Sequence, residues 1–185
     1  MRITLAILLA TILALPACKV GNQFEEIGKF QADVGLTKME FISYRNLEKS
    51  RGGINFKYSD AGKKMGFDGL AGGFVNGEPD LPMLAVFFKS DLDGTNVVLD
   101  SIKLHKVFTI KTVSHVFYRS NTTTGIQSAT DPVIDAQGNV SFDFSADLYR
   151  IDSNTNKPVE GEDPIHVEGS YSGVIPEDQR QAPSK

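Results

Sequence analysis

Residues 140–148 constrain the fold more than any other part of the chain. Val140, Phe142, Phe144, Ala146 and Leu148 alternate without interruption against Ser141, Asp143, Ser145 and Asp147. A helix turns about 100° per residue and would spread these apolar side chains around its circumference. An extended strand places all five on one face and the four polar ones on the other. A polar stretch, Asp152 to Asp163, follows with Asn, Pro and Gly in it. The alternation then returns, with Ile165, Val167, Gly169, Tyr171 and Gly173 set against His166, Glu168, Ser170 and Ser172. Two half-buried strands around a turn-rich loop predict an antiparallel hairpin. Phe142, Phe144, Leu148, Val167 and Tyr171 are its expected core face.

The same period recurs upstream. Ile54, Phe56 and Tyr58 alternate with Asn55, Lys57 and Ser59, and Lys38 to Tyr44 reads as an earlier, blurred strand. Leu84 to Phe88 is a short continuous apolar run between Pro82 and the turn Asp91-Leu92-Asp93-Gly94, as for a strand covered on both faces. Val97 to Arg119 contains neither Gly nor Pro. Its apolar parity, set by Ile102, Leu104, Phe108 and Ile110, slips by Val113, His115 and Phe117. That slip predicts a bulge, or a turn that splits the run into two strands. No helical pattern long enough for parallel crossovers is present. The expected class is all-β, an antiparallel β-sandwich or open barrel of about seven strands.

The N-terminus follows different rules. Met1-Arg2 leads into Ile3–Leu15, thirteen residues without a charge, closing on Pro16-Ala17-Cys18. A basic start, a short apolar run and a small residue make the layout of a secretory signal, too short to span a bilayer comfortably. Cys18 is the only cysteine, so no intrachain disulfide can form. An ordinary signal peptide cut after Ala17 would put Leu15 three residues before the bond, where a small residue is expected. The run Leu15-Pro16-Ala17-Cys18 resembles the lipobox of bacterial lipoproteins, with Pro16 in place of the usual Ala, Ser, Thr, Val or Ile. The resemblance implies cleavage between Ala17 and Cys18 by signal peptidase II. It further implies a thioether-linked diacylglycerol on Cys18 and a third acyl chain, such as palmitate, on the new amino group. Lys19 rather than Asp after the cysteine implies an outer-membrane destination in a cell that has one. The chain then divides into a signal peptide (1–17), a lipidated tether (18–35), a β-domain (36–175) and a disordered tail (176–185). Phe24, Ile27 and Phe30 in the tether have roughly helical spacing, which Gly21, Gly28 and Gly35 oppose.

Composition removes some function classes. The formal charge of −4 becomes −5 when Arg2 leaves with the signal, and no block of Lys or Arg occurs, which argues against nucleic acid. Twelve Phe and no Trp lower the expectation of a Trp-based sugar platform. Gly66, Gly69, Gly72, Gly73 and Gly77 lack the spacing of a phosphate loop and suit a flexible loop or a kinked strand. Gly169-Ser170-Tyr171-Ser172-Gly173 has Tyr171 where a hydrolase elbow needs serine. Asp91, Asp93, Asn96 and Asp100 offer oxygen ligands around Gly94, yet acidic turns are an ordinary way to join strands. The Asp152–Asn156 and Glu160–Asp163 stretches read the same way. His105, His115 and His166 are too scattered for a zinc set and read as surface positions on strands. Asn121-Thr122-Thr123 matches a glycosylation sequon that a bacterial lipoprotein gives no reason to expect in use.

No catalytic residue, metal or cofactor is expected from these motifs. The expected function is a lipid-anchored envelope lipoprotein, periplasmic or surface-facing, that binds an envelope protein partner or serves in an assembly. Two alternatives stay open: a small-molecule or glycan carrier with a barrel cavity, and a hydrolase of envelope polymers. A Phe-lined cavity favours the carrier, and a Ser–His contact favours the enzyme.

Overall fold

In a computed structural model the chain is described over residues 23–48, 52–59, 62–72, 74–75, 78–79, 82–108, 114–120 and 125–180. Residues 1–17, where a signal peptide is expected, Cys18 and the sequon lie outside the described residues. Among the described residues thirteen strands follow one another: β1 (Phe24–Val34), β2 (Thr37–Asn46), β3 (Ile54–Ser59), β4 (Gly62–Leu70), β5 (Phe74–Val75), β6 (Glu78–Pro79) and β7 (Met83–Ser90). Then come β8 (Val98–Phe108), β9 (Ser114–Ser120), β10 (Gln127–Ala129), β11 (Val133–Ile134), β12 (Asn139–Arg150) and β13 (Ile165–Val174), with a single helical turn, α1 (Glu177–Arg180).

Eight of these strands close an antiparallel barrel in the order β1-β2-β4-β7-β8-β9-β12-β13, and β13 pairs back onto β1. Each stave pairs with the next stave along the chain, so the barrel is of the up-and-down kind. The expected all-β antiparallel class is present, and between sandwich and barrel the chain forms a barrel, closed because β13 returns to β1. β3 adds to β4, β10 and β11 add to β12, and β5 and β6 form a separate two-stranded sheet. The hairpin expected from residues 140–173 is present, with Phe142 opposite Tyr171 and Ala146 opposite Val167.

Two boundaries need correction. The segment assigned to a tether, 18–35, is barrel wall from Phe24 onward. The three-residue spacing of Ile27 and Phe30 arises because the β1–β2 register shifts between Glu26 and Gly28, so the extra residue lets both side chains point inward. A bulge therefore imitates one turn of helical periodicity. The tail assigned to 176–185 begins instead with α1, held by Arg45 to Asp178 at 2.5 Å and by Arg180 Nε donating to the Ile175 carbonyl at 2.8 Å. The parity slip in 97–119 marks two strands, since β8 pairs with β9 from Lys103–Arg119 to Phe108–Ser114.

An eight-stranded barrel has an interior just wide enough to be filled by side chains or to hold one small ligand. Here aromatic rings fill it. Phe30 from β1, Phe67 from β4, Phe88 from β7, Phe142 and Phe144 from β12, and Tyr171 from β13 are all buried. Phe88 and Phe142 come from far sides of the barrel, yet their ring centres are 5.0 Å apart. Phe142 also stacks on Tyr171 at 5.2 Å and meets Phe67 at 4.9 Å. Gly28 and Gly173 face each other in register, and the Tyr171 hydroxyl occupies the space their side chains would need.

Candidate functional site

One cluster of polar groups enters the wall around Asp68. Asp68 on β4 accepts from Asn55 Nδ2 at 2.9 Å, and its backbone N–H donates to the Gly53 carbonyl at 2.6 Å. Ser43, fully buried on β2, donates its hydroxyl to the Asp68 carbonyl at 2.5 Å. Burial pushes the Asp68 carboxyl up to about 6, against hydrogen bonds from Gly53 and Asn55 that favour the charged form. The buried Tyr171 hydroxyl is likewise pushed up to about 12 by desolvation. Among the described residues no group meets the geometry of a hydrogen bond to it, although the Ser43 hydroxyl is near enough to act on its acidity.

The outer wall formed by β12, β13, β1 and β2 brings together residues the sequence kept apart. Asp147 lies opposite His166 in the β12–β13 register, and Ser145 lies opposite Glu168. His166 Nδ1 is 2.8 Å from Asp147 Oδ1, and its Nε2 is 3.4 Å from the Ser145 hydroxyl. Glu168 Oε2 stands 3.7 Å from the same Nε2. The hydrogen bond to Asp147 raises the His166 pKa above its ordinary value; burial opposes it, and the Asp147 and Glu168 charges add to it. Ser145 and Glu168 also border an open groove of about 740 Å³, whose other walls include Gln31, Asp33, Lys38, Glu40, Asp143 and Ser170. A second, larger cleft of about 940 Å³ lies where β1, β12 and β13 meet α1, with Glu25, Arg45, Asn139, Glu177 and Arg180 around it.

Ser–His–Asp order is the arrangement of a nucleophile, its base and an orienting acid. One feature opposes that chemistry here. β12 is paired with β10 on one side and β13 on the other at Ser145, so the ladders take up the amides that would form an oxyanion hole. No protein-family model matches the chain, and neither does any curated protein or solved structure.

His105 lies on β8 with its ring 4.6 Å from that of Phe117, and His115 holds the β9 position opposite Val107. His105 and His166 have separate partners. Asp93 accepts from the Thr95 hydroxyl at 2.7 Å, Asp91 accepts from Asn96 Nδ2 at 2.6 Å, and Asp100 pairs with Lys64 and Lys89. Asp152 accepts from the backbone N–H groups of Asn154 and Thr155. Among the described residues, no three His, Cys, Asp or Glu side chains are placed to hold a metal, and no helix is long and apolar enough to cross a membrane. Gly66 and Gly69 lie within β4, while Gly73 and Gly77 lie outside the described residues. Tyr171, at the centre of the Gly169–Gly173 motif, is a core residue.

Sequence reasoning missed Asp68 and the Ser145–His166–Asp147 grouping. Ser145 and Asp147 were legible as one face of a strand. Their approach to His166 depends on hairpin register, which a long loop leaves open. Asp68 follows the outward parity of Lys64 and Gly66, and nothing local announces that Asn55 and Ser43 will close around it.

Proposed function

We propose that this chain is a bacterial envelope lipoprotein, anchored through lipid on Cys18, whose barrel is a binding module for an envelope protein partner. The observation that supports binding on the outside rather than carriage within is the aromatic cluster that fills the barrel from both walls. The polar groove over β12, β13, β1 and β2 is then the contact surface. Only residues 19–23 separate Cys18 from β1, a reach of about 20 Å. The barrel end that carries Phe24, Asn46 and Asn139 would therefore sit close to the membrane, with the groove on its flank.

Mass spectrometry of the mature N-terminus tests the anchor: a triacylated Cys18 is expected, and an unmodified Cys18 or another N-terminus would refute it. For the groove, a photo-crosslinking residue at Gln31 or Ser170 in the lipidated protein should give one discrete adduct in cells. The same residue at Asp93, away from the groove, should not. Equal labelling at all three positions, or none at the groove, would overturn the assignment.

The Ser145–His166 contact favours a second function, hydrolysis of an envelope polymer. A fluorophosphonate probe distinguishes it, since an activated Ser145 would be labelled in the wild type and not in Ser145→Ala. On the binding proposal neither protein is labelled.

A further inference from the structure

The two flanks of the barrel differ in charge. The grooved wall carries Asp33, Glu40, Asp143, Asp147 and Glu168 against Lys29 and Lys38. Across the barrel, the outer face of β3, β4, β7, β8 and β9 gathers Lys57, Lys64, Lys89, Lys103 and Arg119 through register. Lys57 is opposite Lys64, Lys64 opposite Lys89, and Lys103 opposite Arg119. Asp100 neutralises part of this by bridging Lys64 and Lys89. Mutual repulsion remains. Desolvation, with Lys64, Arg119 and Lys57 as neighbouring charges, lowers the Lys103 pKa, and only Asp100 opposes it.

Phe87 is the centre of this face. Gly66 lies opposite it on β4, and the ring occupies the space where a side chain at 66 would stand, so it lies across the outside of the wall. It is half-buried there, unlike its neighbours Val86 and Phe88, which point into the core. Lys103 Nζ lies 4.9 Å and Lys64 Nζ 5.3 Å from its ring centre. Phe117 extends the aromatic surface, with Lys103 Nζ 5.9 Å away. An aromatic plane ringed by cations on rigid strands offers apolar stacking and anion contacts at once.

We propose that this wall is a binding site for an acidic polysaccharide, with carboxylate or phosphate groups on Lys57, Lys64, Lys103 and Arg119 and a sugar face on Phe87. The charge selects a polyanion, and the aromatic centre selects a glycan over a bare anionic surface. The site is separate from the grooved wall and does not depend on the partner proposed for it. It is also independent of the lipid, because the described fold begins at residue 23 and a chain starting at Lys19 retains every strand.

Titration calorimetry of that chain with polygalacturonate at low salt, with neutral dextran as control, tests the proposal. Polygalacturonate should bind and dextran should not, and affinity should fall steeply as salt rises. The double variant Lys64→Glu/Lys103→Glu should lose on the order of tenfold or more in affinity. Phe87→Leu keeps apolar bulk but removes the ring, and should weaken binding several-fold without changing the salt dependence. Circular dichroism of each variant verifies that it is folded. Loss of folding in the double variant would shift the test to Lys57→Glu/Arg119→Glu, for which the same loss is expected. Binding that ignores all these substitutions, or equal binding of dextran, overturns the site. If Phe87→Leu leaves affinity unchanged, or the chain binds anionic phosphatidylglycerol vesicles more tightly than the glycan, a charged surface without glycan recognition replaces it. Self-association lost on Asp143→Lys would show that the basic wall meets the acidic wall of another copy instead, and would also overturn it.

Discussion

Asp68 should make the protein less stable as pH rises from 4 to 7. Its carboxyl titrates near 6 in the folded chain against an ordinary value of 3.8, because burial penalises the charged form more than Asn55 and Gly53 compensate. A folded-state pKa above the unfolded one means that the native state holds the proton more tightly. The stabilisation is therefore complete below about 4 and is lost as pH rises through about 6. Two pKa units correspond to about 3 kcal/mol, an upper bound because the side chain keeps some contact with water. Asp68→Asn removes the titration while keeping an oxygen for Asn55 Nδ2. Urea unfolding followed by far-UV circular dichroism, at steps from pH 4 to pH 7, should show the variant gaining on the wild type by up to ~3 kcal/mol. Asp93, Asp100, Asp135 and Asp152 have lowered values, so their effects fall below that window and are common to both proteins. A stability difference that stays flat across the range would mean that Asp68 is solvated and that the cluster with Ser43 and Tyr171 is looser than described.

Phe144→Ala and Phe142→Ala should each cost about 3–5 kcal/mol in chemical denaturation. Phe142 should cost more, because its ring meets five other aromatic rings drawn from both sides of the barrel. Gly28→Ala should destabilise by about 1–3 kcal/mol through collision with the Tyr171 hydroxyl. Tyr171→Phe should recover part of that loss, and a purely additive double mutant would refute the contact. His166 should titrate above its ordinary value by NMR in the wild type and return toward it in Asp147→Asn. The contribution of this pair is present at low pH and fades as His166 loses its proton.

Strand content and inward parity were legible because a period of two is a local property. Phe142, Phe144, Leu148, Val167 and Tyr171 could be assigned to one face from their spacing alone, and all five are buried. Local pattern misled at β1, where one bulge residue turned a strand into apparent helical spacing, and at residues 177–180, where the ion pair of Asp178 with a residue on β2 keeps α1 against the barrel. Barrel closure lay beyond sequence reasoning, since pairing β13 with β1 joins the two ends of the domain. The interior was undecided for a related reason: alternation says which side chains point inward but not whether they meet across the space. The charged and catalytic-looking surfaces depend on register most of all. Ser145, Asp147 and His166, or Lys64, Lys103 and Phe87, are ordinary alternating residues until particular strands align. The sequence determined which residues share a face; the tertiary structure decided which faces meet, because cross-strand neighbours are set by long-range pairing that no local period encodes.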